Sequence, residues 1–120
     1  MDVKFERLRD VLRVEIRGRE TARETRELAE RVFAEREKKG ALAILMCIRA
    51  SRPIFKVEDY GLSGILDRIR AVPGLRVAVV ADESGLHAAH EYIEVLALQR
   101  GVPYRAFTSE ARALAWLRDN

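Results

Sequence analysis

Two short stretches of this chain are apolar throughout, whereas other stretches alternate between hydrophobic and charged residues. Residues 41–48 and 77–81 contain only hydrophobic side chains. A run this short that is apolar on both faces is typical of a strand inside a parallel sheet, where helices cover both sides. We therefore predict that these two segments form adjacent, parallel, central strands.

The first part of the chain follows the alternating pattern. Hydrophobic residues alternate with charged ones at Val3 and Phe5 and again over residues 12–16, and Arg9-Asp10 separates the two stretches. Alternation of this kind favours strands that bury one face and expose the other. The pattern predicts a hairpin, with residues 3–8 as an antiparallel edge strand.

Helical spacing fills most of the remaining chain. Thr21 and Glu24 form a capping-box signature, and Gly40 marks the end of the first helix. Further helices are predicted over about 61–72 and 85–100, then a strand over 102–107, and a final helix capped by Thr108 or Ser109. The order β-β-α-β-α-β-α-β-α predicts an α/β fold with one mostly parallel sheet covered by helices, in a single domain over residues 1–120.

Composition narrows the function classes. The chain has 120 residues, 48% of them hydrophobic, and its net charge of +3 comes from interspersed acids and bases. That mixture is typical of a solvated, ion-paired surface rather than a nucleic-acid footprint. Cys47 cannot form an internal disulfide, so we expect a small core residue. The N-terminus lacks an apolar signal region, and we expect a cytoplasmic protein.

Two segments resemble the STAS domain family, within it the SpoIIAA-like branch of anti-sigma-factor antagonists. Val57-Glu58-Asp59-Tyr60-Gly61-Leu62 is similar to the family's Ile-Asp-Ser-Ser-Gly-Leu at the start of its second helix. Residues 107–117 resemble the family's ending, a strand closing on Phe, a capping residue and an Ala/Leu-rich helix. The resemblance implies a non-enzymatic regulatory module, bacterial in origin, that binds another protein.

This sequence departs from the family pattern at the residue whose phosphorylation acts as the family's switch. In antagonist members the first Ser of the motif is phosphorylated, and Asp59 stands at the matching position here. The family's Asp at the end of the preceding strand would fall near Ala50. Aspartate resembles a permanent phosphate with about half its charge, so partner binding is expected to be constitutive. The alternative is that Asp59 only caps the helix.

The expected working surface is the loop 49–60, the start of the second helix and the loop 82–86. Loops after the strands of a parallel sheet form the working edge of α/β proteins. Basic side chains beside a helix start could hold an anion there, but two acidic residues compete for the same dipole end. The candidate residues of this partner- or anion-binding surface are Arg49, Arg52, Lys56, Glu58, Asp59, Tyr60, Gly61, Ser63, Asp82 and Ser84.

Signatures of catalysis and of metal binding are weak. His87 and His90 are three residues apart, whereas the zinc-protease pattern needs two histidines four apart with a glutamate between them. None of the serines lies in a nucleophile elbow, and the lysine of a phosphate-binding loop is missing. We expect no catalytic residues, no tightly bound metal and no cofactor.

Two interpretations of function therefore stay open. The first is an interaction module whose partner is another protein, with no nucleic acid and no membrane span, and a homodimer remains an alternative partner. The second comes from fold analogy with lipid carriers of SEC14-like architecture. It places a small apolar ligand or lipid under the third helix, in a pocket lined by apolar residues.

Overall fold

The computed structural model describes residues 1–119, which form one sheet with helices on both faces. The sheet order is β1-β2-β3-β4-β5, with β1 antiparallel to β2 and all other neighbours parallel. This confirms the predicted α/β fold class. In chain order the elements are β1 (Asp2–Leu8), β2 (Val11–Arg17), α1 (Ala22–Lys39), β3 (Ala43–Arg49), a 3₁₀ turn (Val57–Tyr60), α2 (Leu62–Arg70), β4 (Arg76–Ala81), α3 (Ser84–Gln99), β5 (Tyr104–Phe107) and α4 (Glu110–Leu117).

The two apolar runs are central strands, as predicted. β3 pairs with β4 in parallel, and each has a further strand on its other side. Ile44 and Val79 are each only 1% exposed. β3 begins at Ala43 rather than at residue 41 because Ala41 belongs to the preceding helix end, where its N–H donates to the Arg36 carbonyl at 3.1 Å.

Local capping signals are also confirmed. Thr21 and Glu24 make both hydrogen bonds of the capping box at the start of α1. Gly40 ends that helix in the left-handed conformation, with φ of 67°. At the start of α4, the Ser109 side chain accepts a hydrogen bond from the Arg112 N–H.

The helices are divided unequally between the two faces of the sheet. Helices α1, α2 and α3 cover one face and share a large core with it, whereas α4 alone packs on the other face. Cys47 lies in the smaller core under α4 at 1% exposure, as a small core residue. Burial raises the pKa of the Cys47 thiol to about 11, so the thiolate nucleophile is scarce at neutral pH.

The entry into α2 differs from the prediction. The chain makes a 3₁₀ turn up to Tyr60 and then passes through Gly61, which is left-handed at φ 70° and is itself the N-cap of α2. Asp59 lies two residues before this N-cap, and its side chain makes no capping hydrogen bond. The helix-cap interpretation of Asp59 is therefore wrong, because the reversal at Gly61 separates that carboxylate from the free amides of α2.

Candidate functional site

The carboxyl ends of the parallel strands bring two predicted loops together. β3 ends at Arg49, and Ala50 takes the left-handed conformation with φ of 46°. The Ala50 N–H donates to the Asp82 Oδ2 at 3.1 Å, which ties the loop after β3 to the loop after β4. The predicted working edge is thus continuous across two neighbouring strands.

Most of the predicted site residues lie on this edge with exposed side chains or backbone. We call the exposed set the interaction edge; Phe55, in the same loop, belongs to it and is 55% exposed. Its polar and glycine members are Arg52, Lys56, Glu58, Asp59, Gly61, Ser63, Asp82 and Ser84. Lys56 and Asp59 face each other, with 3.9 Å between Nζ and Oδ1.

Two of the predicted residues do not join the interaction edge. Arg49 points to the α4 face, where its Nε lies 3.6 Å from the Glu15 carboxylate and its Nη2 3.8 Å from that of Glu110. Successive side chains of a strand alternate between faces, and Arg49 shares the face of Cys47. Tyr60 is 5% exposed and turns into the core. The predicted basic cluster of Arg49, Arg52 and Lys56 therefore does not form.

A surface groove runs beside the start of α2. It has a volume of about 380 Å³ and lies between α1 and α2. Gly61 and Gly64 leave part of its wall without side chains, and Arg26, Glu30 and Arg68 line the rest. The Arg26 guanidinium donates to the Asp59 carbonyl, so α1 holds the 3₁₀ turn in place.

A second candidate site lies beneath the helices. A cavity of about 90 Å³ lies between the sheet and helices α1, α2 and α3, and apolar side chains form nearly all of its lining. Five residues with polar groups also line it: Arg19, Thr25, Tyr60, His90 and Tyr104. The Thr25 hydroxyl donates to the Thr21 carbonyl at 3.1 Å, within its own helix. We call the other four residues the polar end of the cavity. Cavities with few polar groups in an apolar lining are the usual form of small-molecule sites.

Arg19 is the unusual member of the polar end. It is 4% exposed, and its Nε–H has no hydrogen-bond partner within residues 1–119. Its Nη2 donates to the Arg52 carbonyl, and its backbone N–H donates to the Ser51 Oγ at 3.1 Å. Burial lowers the pKa of the Arg19 guanidinium, because desolvation disfavours the charged form.

The other three polar groups stay neutral at neutral pH. Burial raises the pKa of Tyr60 to about 12 and that of Tyr104 well above its ordinary value, so both keep their hydroxyl protons. Burial lowers the pKa of His90 to about 3, and its Nδ1 lies 2.7 Å from the Tyr104 hydroxyl. All three groups line the same cavity as Arg19, and the Arg19 charge contributes to the pKa shift of each.

Sequence reasoning missed this polar end. Arg19 stands between Gly18 and Glu20, where a charged residue looks like part of a solvated loop. The sequence presents His90 only as a candidate metal ligand beside His87. In the part of the chain from residue 1 to 119, no group of three or more His, Cys, Asp or Glu side chains is placed to hold a metal ion. No pattern in the sequence distinguishes Arg19 from the other arginines.

The profile of the SpoIIAA-like family matches residues 11–118. The chain belongs to the SpoIIAA-like family. The matched region runs from the start of β2 to the end of α4, so it contains both the interaction edge and the cavity. No curated protein matches this chain.

Family membership confirms the resemblance that the two sequence segments indicated. It marks the SpoIIAA-like protein as a STAS-type regulatory module, in a family whose members are generally non-enzymatic. Within residues 1–119, none of the helices combines the length and the apolar character needed to cross a bilayer.

Proposed function

We propose that this SpoIIAA-like protein is a cytoplasmic, non-enzymatic module that binds a partner protein through the interaction edge. The observation that carries the proposal is Phe55, a large apolar side chain that is 55% exposed in the midst of the charged residues of that edge. Protein interfaces commonly have an apolar anchor surrounded by a polar rim. The edge has this composition, with Arg52, Lys56, Glu58 and Asp59 as rim residues.

The groove beside α2 supports the proposal that the partner binds at the interaction edge. Gly61 and Gly64 are exposed there, and a Cβ atom added at either position would meet nothing within 4 Å. A partner backbone can therefore approach the start of α2 closely. Arg26 and Glu30 on α1 and Arg68 on α2 place charges of both signs along the groove, where Arg68 Nη1 lies 2.5 Å from Glu30 Oε1.

Binding at this edge is proposed to be constitutive with respect to phosphorylation. Asp59 stands where family members carry the modified hydroxyl, and its carboxylate is already charged and half exposed. Ser51 is buried, and its hydroxyl is held between the Arg49 carbonyl and the Arg19 N–H. Ser63 is exposed. Phosphopeptide mapping of protein from its native cells tests the proposal, and phosphate on Ser63 or Ser51 would contradict it.

A pull-down from native cell extract tests the interaction edge itself. A protein captured by the wild type should be lost with Phe55→Ser and weakened with Asp59→Arg. Leu98→Ser is the matched control, because Leu98 is an exposed apolar residue at the far end of α3. The captured protein is then purified and titrated directly. Equal binding by all four proteins would place the interface elsewhere, and sedimentation equilibrium distinguishes self-association from partner binding.

The cavity favours a second candidate function, the binding of a small apolar ligand. It lies against α3, where the analogy with lipid carriers places a ligand, and its lining is almost entirely apolar. Titration of the protein with a short-chain alcohol, followed by amide chemical shifts, tests this function. Shifts confined to cavity-lining residues would support it, and the absence of saturable shifts would contradict it.

A further inference from the structure

The buried guanidinium of Arg19 has no counter-charge in the described part of the chain. Its one side-chain hydrogen bond within residues 1–119 goes to a backbone carbonyl, that of Arg52. Desolvation is the largest effect on the pKa of the group, and Glu24 and Glu20 contribute less than it does. A buried charge is ordinarily paired with an opposite charge, because leaving it alone is strongly unfavourable.

The Arg19 side chain also carries a buried N–H group, at Nε, that has no hydrogen-bond partner within residues 1–119. Buried N–H groups without a partner are rare in folded proteins, and this one belongs to a residue that lines the cavity. A water molecule could accept that hydrogen bond, but it would supply no charge. A carboxylate supplies both an acceptor oxygen and the missing negative charge, and a guanidinium is well shaped to hold it.

The rest of the cavity restricts what the carboxylate can be attached to. Beyond the polar end and Thr25, the lining consists of apolar side chains such as Leu66, Ile69 and Val79. The volume of about 90 Å³ is well below the ~150 Å³ of an engineered apolar cavity that holds benzene. An apolar group that fits inside this volume is therefore smaller than a six-carbon ring.

We infer that the cavity is a binding site for a small monocarboxylate whose apolar tail is shorter than six carbons, with Arg19 holding the carboxylate group. The inference rests on the second candidate function above, ligand binding in the cavity. Tyr60, which keeps its proton at neutral pH, is a hydroxyl donor in the same lining, whereas the Tyr104 hydroxyl already lies 2.7 Å from His90 Nδ1. A hydroxyl donor suits an anionic group better than a second cation.

The test compares three probes on the full chain at pH 7: butyrate, 1-butanol and octanoate. Binding is measured by amide chemical-shift titration. Butyrate should bind about tenfold or more tightly than 1-butanol, since hydrogen bonds to charged groups contribute at least one such factor. Octanoate should bind less tightly than butyrate because its tail exceeds the cavity. This comparison needs no variant, so it remains decisive if substitutions at Arg19 prevent folding.

Two variants test whether the tighter binding of butyrate than of 1-butanol depends on Arg19. Arg19→Met keeps the length of the side chain and should reduce butyrate binding to the level of 1-butanol. Arg17→Met is the matched control, since Arg17 makes the same charge change at an exposed position outside the cavity lining. Unchanged butyrate affinity in Arg19→Met, or equal binding of butyrate and 1-butanol by the wild type, would overturn the role of Arg19.

The remaining outcomes separate this inference from the function on which it rests. If 1-butanol binds as tightly as butyrate, the cavity is a ligand site but not an anion site, and only this inference fails. If neither probe binds, both the ligand-binding function of the cavity and this inference fail. If octanoate binds more tightly than butyrate, the restriction to short tails is wrong, and a longer acyl chain would be the indicated ligand.

Discussion

Two arginines on opposite faces of the sheet have opposite surroundings. Arg13, under α4, is mostly buried, and its Nε lies 2.6 Å from the Glu110 carboxylate while its Nη2 lies 3.3 Å from that of Glu15. These partners raise the pKa of Arg13 above its ordinary value. Arg19, on the face of α1–α3, is more deeply buried, makes no such pairs within residues 1–119, and has a lowered pKa.

The difference separates a structural role from a binding role. Arg13 connects β2 to the first turn of α4, and all of its charge is used within the fold. Arg19 is held in place through its backbone, whose carbonyl accepts from the Arg52 N–H at 2.9 Å and whose N–H donates to Ser51. Its side chain therefore keeps an unused donor and an unused charge, which is the condition for binding an anion.

The largest expected effect on the free energy of unfolding comes from shortening a core leucine on either face of the sheet. Leu45, under α4, and Leu66, at the cavity wall, are both essentially unexposed. Leu→Ala substitutions in cores cost about 2–5 kcal/mol, depending on the space left behind. We expect Leu45→Ala to lie near the upper end and Leu66→Ala near the lower end, because Leu66 already lacks contacts on its cavity side. Urea unfolding measures both.

The control for this pair is Leu98→Ala. Leu98 is 79% exposed, and a substitution there should change the free energy of unfolding by less than about 0.5 kcal/mol. A Leu66→Ala cost equal to or larger than that of Leu45→Ala would show that the two faces are packed equally well.

The arginine comparison itself is tested by Arg13→Met and Arg19→Met. Arg13→Met removes charged hydrogen bonds to two carboxylates and should cost about 1.5–3 kcal/mol. Arg19→Met should cost less, or increase stability, since it replaces a buried charge that has no counter-charge with an apolar side chain of similar length. Urea unfolding at pH 7 without added carboxylate gives both values. An equal cost for the two variants would contradict the comparison.

A difference in acid sensitivity follows from His90. Its pKa falls from 6.5 to about 3 on folding, chiefly because the ring is buried. Below pH 6.5 the unfolded chain therefore binds a proton that the folded protein excludes, and stability is lost as the pH falls. The slope approaches about 1.4 kcal/mol per pH unit, and the loss between pH 6.5 and 5 is about 1.6 kcal/mol. His90→Asn should remove this slope while leaving an amide near the Tyr104 hydroxyl.

The ion pairs on the α4 face should lose their contribution to stability only at lower pH. Hydrogen bonds from Arg13 lower the pKa of Glu15 and Glu110 below 4.5, so their contribution is present above that value and is lost as the pH falls below it. Urea unfolding of the wild type and of His90→Asn at pH 7, 6 and 5 separates the two faces. Equal slopes for the two proteins over this range would contradict the assignment to His90.

The smallest effect is expected at Asp59. Its side chain is half exposed, caps no helix and lies 3.9 Å from the Lys56 Nζ. Exposed ion pairs contribute little, so Asp59→Ser and Asp59→Lys should each change the free energy of unfolding by less than about 0.5 kcal/mol. A cost above 1 kcal/mol for Asp59→Lys alone would restore a capping or dipole role. If stability is unchanged, weaker partner binding by Asp59→Lys is a direct measure of the interaction edge.

The sequence by itself determined the order of elements, the central position of β3 and β4, and the helix cap at Thr21, and it limited the cap of α4 to Thr108 or Ser109. Each of these depends on residues within a few positions of one another, through side-chain periodicity or through a hydrogen bond between near neighbours. The family resemblance rested on the same kind of local pattern, around Gly61 and after Phe107.

Only the tertiary structure decided which charged and polar side chains turn inward. Arg49 does not lie on the predicted edge because β3 places its side chain on the α4 face. Tyr60 does not lie there either, because the 3₁₀ turn directs its side chain into the core. The polar end of the cavity joins the loop after β2, the 3₁₀ turn, α3 and β5. Residues so far apart in sequence share no periodicity, so the site of Arg19 exists only once the helices have packed on the sheet.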